Sequence, residues 1–443
     1  MIFLIKYIII NLIFVYPVFL VQNNYRTCDE STIYFYSNST PIDGEISDYE
    51  TSSDNIETND FISIKTVSKR SIYINKVTNW TSPIKYHIDK ELKNKTIISV
   101  LEYFSKYTCL NFTHNDNYKV NDSSLVFLKK SLCSSLVGKN IESSGDTEVW
   151  LTETCSKDFG ILAHEIAHAL GLRHEHQRFD RDEYITINSS LILDEYKNDI
   201  MKKDNATEYA SYNTTYDYGS IMHYPSKSSM SNEKQYIFVN DSKLYEKMIG
   251  QRHRLSFNDF KTLNHYYCLH KCDGIENKCK NGGYPYWNNC TRCVCPKEYT
   301  GAECTISKDR SDNCNLTIYN ANNTNISFQS SGKRRCSHFI KTDEENRIAV
   351  ILTKVDTMGR TICRTDVGLE VKYKNDKGTT GLCLCDDYKK KNITIISEGE
   401  EVAITYTGET DDNKFKGYFV KIPKDSKYRN QLFFNEYVDL STN

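Results

Sequence analysis

Three histidines at fixed spacing constrain this chain more than any other feature. They lie in the run Leu162-Ala163-His164-Glu165-Ile166-Ala167-His168-Ala169-Leu170-Gly171-Leu172-Arg173-His174. His164 and His168 are four residues apart, so a helix projects both imidazoles from one face, one turn apart, toward a single ion. Gly171 suits a left-handed reversal that ends the helix and returns the chain, bringing His174 in as a third nitrogen. Any fold must therefore seat a helix, a sharp turn and one point shared by three rings. Three neutral nitrogens favour zinc with a fourth position open to solvent. Glu165, next to the first ligand, stands where a carboxylate takes a proton from activated water. With 11 His and 19 Gly in 443 residues, the five fixed positions would match by chance with an expectation on the order of 10⁻⁵. A zinc site that only stapled the fold would be rich in Cys or bring a fourth side-chain ligand, and would have no use for that carboxylate. His176 and His223 have no such spacing and read as packing or surface histidines.

A chain of 443 residues is too long for one core and predicts about two to four domains. Lys and Arg number 56 against 58 Asp and Glu, a net charge of −2, too even for the field that nucleic-acid binding needs. Residues 1–21 place Lys6 ahead of an apolar run from Tyr7 to Val21 that Asn11 and Pro17 interrupt. A secretory signal is expected rather than a membrane anchor, and no membrane span is expected elsewhere. The sixteen cysteines suit an oxidising compartment. The fourteen Asn-x-Ser/Thr sequons, among them Asn79, Asn111, Asn188, Asn213, Asn315 and Asn392, suit a glycosylated, extracellular product.

Residues 22–70 are polar and acidic and end in Ser68-Lys69-Arg70, a dibasic site for a processing protease. They read as a propeptide, although a disordered tail has the same composition. Residues 71–268 mix helical spacing (Ile97, Ile98, Val100, Leu101, Phe104) with short strand-like runs at Ser124 to Phe127 and Val149 to Leu151, so an α+β domain is expected. Residues 269–305 form a module too small for a core without staples, with six cysteines between Cys272 and Cys304. From 306 to 423, alternation such as Ile348 to Leu352 and Val402 to Tyr406 predicts an all-β sandwich. Residues 424–443 carry no assignment.

The histidine line with its continuation His174-Glu175-His176-Gln177-Arg178-Phe179-Asp180-Arg181-Asp182 resembles the astacin branch of the metzincins. Tyr216-Asp217-Tyr218-Gly219-Ser220-Ile221-Met222-His223-Tyr224 resembles its Met-turn. The resemblance implies a zinc metalloendopeptidase with His164, His168 and His174 on Zn²⁺ and Glu165 as general base. Met222 would form a floor beneath the metal. Tyr224 would ligate zinc at rest and steady the oxyanion in turnover. Glu175 would meet the new N-terminus after cleavage near Arg70. In Ile42-Asp43-Gly44-Glu45-Ile46, Glu45 would hold the zinc of the zymogen, with Ile42 and Glu45 in place of the family's Phe and Asp. Arg252 matches a position where arginine favours an acidic residue just after the cut.

The family's pairing would join Cys109 to Cys268 and Cys133 to Cys155. The small module resembles an EGF-like domain, which implies the pairs 272–290, 279–293 and 295–304. The sandwich resembles a CUB domain, with Cys314–Cys336 and Cys363 joined to Cys383 or Cys385. Cys28 and one of the last two are left over. Protease, EGF and CUB in this order is the layout of many nematode astacins. The implied partners are extracellular protein or peptide substrates, held along an edge strand at Val149 to Leu151, an activating protease, and matrix or protein contacts through the two outer modules. The competing reading is a matrix-binding or adhesion protein that acts through those modules with an inert protease.

Overall fold

The computed structural model describes residues 72–73, 79–140, 145–204, 209–210, 212–388, 392–425 and 432–434, all within one compact unit, Ile33–Asn443. The apolar opening from Met1 to Val21, Cys28, the acidic segment with Glu45, and the Lys69-Arg70 pair lie outside the described residues.

The first layer is a five-stranded sheet in the order β3 (Phe112–His114), β2 (Ile84–Ile88), β4 (Leu125–Lys129), β6 (Thr147–Leu151), β5 (Ser134–Ser135). The first four strands run parallel and β5 is antiparallel to β6. Along β6, Thr147, Val149 and Leu151 are buried and alternate with half-buried Glu148 and Trp150, the period of a strand with one face on a core. That core is shared with α1 (Asn94–Tyr107), whose Ile97, Val100, Leu101 and Phe104 recur at helical spacing and are all buried. The pairing corrects one expectation. Ser134 lies opposite Trp150 and Ser135 opposite Val149, so Val149 to Leu151 is interior and the edge belongs to Ser134–Ser135. A strand of two residues is too short to show any periodicity.

Beyond the sheet come α2 (Phe159–Ala169), α3 (Asp194–Met201) and α4 (Phe257–Tyr267). A capping box of Ser256 and Asp259 starts α4. Two small pairs complete this part, β1 (Ile72–Tyr73) with β8 (Tyr209–Ala210) and β7 (Ile185–Ile187) with β9 (Ile237–Val239). Disulfides Cys109–Cys268 and Cys133–Cys155 join where expected. The first ties the end of α1 to the end of α4.

The small module holds two hairpins, β10 (Tyr284–Tyr286) with β11 (Asn289–Val294) and β12 (Tyr299–Thr300) with β13 (Ile306–Ser307). They are stapled by Cys272–Cys290, Cys279–Cys293 and Cys295–Cys304. Two five-stranded sheets follow. One runs β14 (Thr317–Asn320), β16 (Arg335–Lys341), β21 (Glu401–Thr407), β18 (Gly368–Lys372), β19 (Leu382–Leu384). The other runs β15 (Ile326–Ser331), β22 (Lys414–Pro423), β17 (Asn346–Asp356), β20 (Ile393–Ile396), β23 (Leu432–Phe434). Cys314 pairs with Cys336 and Cys363 with Cys385, which leaves Cys383 as a buried thiol. The stretch 424–443 contributes β23, which adds to β20 at the sheet edge. The apolar core of the sandwich is continuous with that of the second half of residues 72–268: Tyr218, Tyr224, Tyr245 and Met248 belong to one cluster with Val371, Tyr373, Leu382 and Cys383. No helix among the described residues is long and apolar enough to cross a membrane.

Candidate metal centre

α2 starts where the Asp158 carboxylate accepts from the Ile161 amide at 2.9 Å. Leu162, Ala163, Ile166, Ala167 and Ala169 bury it on every side, so its histidines are held inside the molecule. The helix ends at Gly171, whose φ of +100° only glycine adopts at low cost. The Gly171 amide donates to His168 O at 2.7 Å and the Leu172 amide to Ala167 O at 2.9 Å, closing the reversal that carries the chain to His174.

The three rings meet. Their centroids are 4.6 Å (His164 to His168), 5.3 Å (His164 to His174) and 4.4 Å (His168 to His174) apart. One nitrogen from each lies within 4.8 Å of the others. His164 Nδ1–H donates to Ile221 O at 2.9 Å and His168 Nδ1–H to Leu172 O at 2.7 Å. These bonds assign the tautomer and leave the Nε2 lone pairs directed at the shared point. His168 Nε2 and His174 Nε2 are 3.0 Å apart. Zinc–nitrogen bonds of about 2.0–2.1 Å in a tetrahedron separate two ligand atoms by roughly 3.3 Å, so the donor set fits zinc.

The electrostatics agree with the geometry. Burial lowers His168 to about 3, and burial together with the Arg252 cation takes His164 far below the usual imidazole range. Burial and the other two rings do the same for His174. All three stay neutral, the form that ligates metal. Glu165 is fully enclosed. Burial pushes its carboxyl up to about 8, against the opposing pull of Arg252 and the Ser135 amide.

The segment 216–224 is laced to these ligands. Its Ile221 carbonyl orients His164, and its Met222 carbonyl accepts from the Glu175 amide at 3.0 Å. Met222 is buried in the same cluster as α2. Tyr224 is buried with its ring 4.4 Å from His174 and 4.0 Å from His176. Glu175 is buried, accepts from the Asp217 amide at 2.9 Å and faces Arg178 at 3.3 Å. His176 and His223 are both fully buried packing histidines, and His223 bonds Tyr216 Oη at 2.7 Å. Sequence reasoning missed the backbone carbonyls around the three histidines, and it named Arg252 only for substrate choice, through the family resemblance. Arg252 Nη1 donates to the carbonyls of Ile221, His223 and Gln251 at 2.8, 3.0 and 2.9 Å, which places a buried cation beside the site. Carbonyl acceptors carry no residue signature, so no spacing rule finds them.

Residues 72–268 match the model of the astacin peptidase family. The chain is 30% identical over 355 residues to the zinc metalloproteinase nas-36 of Caenorhabditis elegans, covering 77% of this chain and 56% of that protein. It is 37% identical over 245 residues to the zinc metalloproteinase dpy-31 of Teladorsagia circumcincta, covering 53% of this chain and 38% of that protein. The chain thus spans between about two fifths and little more than half of the length of these relatives. Among solved structures it is similar to a hatching-enzyme zinc protease of the medaka fish Oryzias latipes, at 28% identity, 43% coverage of this chain, 95% of that chain and a TM-score of 0.38.

Proposed function

Residues 72–268 belong to the astacin family of zinc metallopeptidases, and from that premise we propose that the chain is a secreted endopeptidase, made as a zymogen, that cuts peptide bonds of extracellular proteins. One observation carries the reading: three neutral buried imidazoles turned to one point, with an enclosed carboxylate on the residue after the first of them.

His164, His168 and His174 would hold zinc, and Tyr224, whose ring lies 4.4 Å from that of His174, would join them as a ligand at rest. Bound there, zinc supplies Lewis-acid polarisation of a carbonyl and a nucleophile at neutral pH. Glu165 takes the proton of the attacking water on a carboxylate oxygen and returns it to the leaving amine. Tyr224 keeps its proton, since burial raises its phenol, and donates to the developing oxyanion. An extended substrate lies along the Ser134–Ser135 edge, next to Glu165, and the Arg252 cation favours an acidic residue after the cut.

Latency would rest on residues 22–70, where Glu45 would hold the zinc until a protease cuts near Arg70. In support, Ile72 is buried beside Gly171 and bridged to Leu172, so the chain just past Arg70 is tied to the loop of the third ligand, where Glu175 awaits the new terminus. Residues 269–305 are read as an EGF-like module, on their three pairings, and 306–423 as a CUB-like domain, on their paired sheets. Export after removal of residues 1–21 agrees with seven disulfides among the described residues and with exposed sequon asparagines at Asn111, Asn188, Asn213, Asn315 and Asn392. The test is to express the zymogen, cut it after Arg70 and compare casein hydrolysis with that of Glu165→Ala. Loss of activity in the variant is expected, and equal rates would put the adhesion reading in front.

A further inference from the structure

The turn behind the metal centre is gripped from outside the catalytic part. Asp217 is buried, and its carboxylate accepts from the amide and the hydroxyl of Thr380 at 3.3 and 3.1 Å. The Asp217 amide in turn donates to Glu175, the residue after the third histidine, at 2.9 Å. Gly219 lies against the same threonine: a Cβ there would stand 2.5 Å from Thr380 Cγ2, so the close approach requires glycine. On either side, Asn258 Nδ2 donates to Thr379 Oγ1 at 3.2 Å and the Thr215 amide to Asp376 Oδ2 at 3.4 Å. The loop 373–381 that makes these contacts joins β18 to β19 and is itself braced. Buried Lys372 donates to the carbonyls of Lys377 and Thr379 at 2.6 and 3.1 Å, and Glu298 of the disulfide module faces that lysine at 3.4 Å.

We propose that this loop of the sandwich is a positioning element of the metal centre, with Thr380 acting through Asp217 and Glu175 to hold the 216–224 turn in the arrangement that receives zinc. Metal ligands keep their geometry only when the groups behind them are fixed, and hydrogen bonds to a carboxylate are among the stronger means of fixing them. The sandwich then supports the site directly, besides any contact it makes with other molecules. The inference rests on the peptidase reading for its kinetic consequence and on the contacts alone for its structural one.

The experiment uses the full chain cut after Arg70, with Thr380→Val, Thr380→Ser and, as a control exposed on β17, Thr353→Val. Three quantities are read: amide hydrogen exchange across residues 217–222 in zinc-free protein, zinc release to a chelator, and the kcat and KM of peptide cleavage. Thr380→Val is expected to speed exchange and zinc release about tenfold, and to lower kcat about tenfold with KM within about twofold. Thr380→Ser restores all three, and Thr353→Val leaves them unchanged. Native protection across α1 and β17 in Thr380→Val shows that the fold persists. Unchanged exchange and zinc release in Thr380→Val overturn the proposal. Activated wild type that retains zinc but cleaves no peptide defeats the peptidase reading instead, and the exchange result still decides the loop.

Discussion

In the proposed reaction His164 and Glu165 are neighbours with opposite duties, one to stay neutral and bind, the other to exchange a proton, and burial acts on both. It drives imidazole toward its neutral form and lifts the carboxyl to about 8. Glu165→Gln keeps the shape and removes the proton carrier. Peptide hydrolysis by this variant should fall by about 10³-fold or more while zinc content stays at the wild-type level, measured by parallel kinetic and metal assays. Tyr224→Phe deletes one hydroxyl beside His174; kcat should drop about 10²-fold with little change in KM. The meeting of His164, His168 and His174 was legible in the sequence because a helix converts a four-residue interval into a shared face and Gly171 announces the reversal. The groups that aim the trio were not. Ile221 O and Leu172 O, which hold His164 and His168, are backbone atoms, and Arg252, singled out only through the family resemblance, is 78 positions from His174 in the chain yet beside His164 in space.

At the level of elements, α1 was readable from Ile97, Val100, Leu101 and Phe104 because one buried stripe fixes its period. Phe104 is fully buried, so Phe104→Ala should cost about 3–5 kcal/mol in denaturant unfolding. The edge strand was misplaced because β5 is too short to carry a pattern, and only pairing reveals that it covers β6. β23 escaped notice for the same reason: three residues in a polar tail become a strand only against β20. Two packing histidines give a pH dependence. Burial lowers His265 on α4 and His338 on β16 to about 4, whereas in the unfolded chain each titrates near 6.5. Between those values the unfolded state binds more protons, so their contribution to stability is complete above about pH 6.5 and is lost as pH falls toward 4. Urea midpoints should decline over that window, and His338→Leu should flatten the decline.

Across the whole molecule, residues 72–268 and the paired sheets that follow share an apolar core. Composition marks where a disulfide module and a sandwich begin, but not which surfaces they share. Tyr245 Oη and Tyr373 Oη bond at 2.8 Å inside a core common to both parts. Heating should therefore unfold residues 72–268 and the sandwich in one calorimetric transition, and two resolved transitions would show the shared core to be energetically minor. The most direct measurement on the central claim is zinc K-edge X-ray absorption of purified, activated protein. One zinc per chain with three imidazole nitrogens at about 2.0–2.1 Å and no sulfur neighbour is expected. Absence of stoichiometric zinc, or a first shell containing cysteine sulfur, would contradict it.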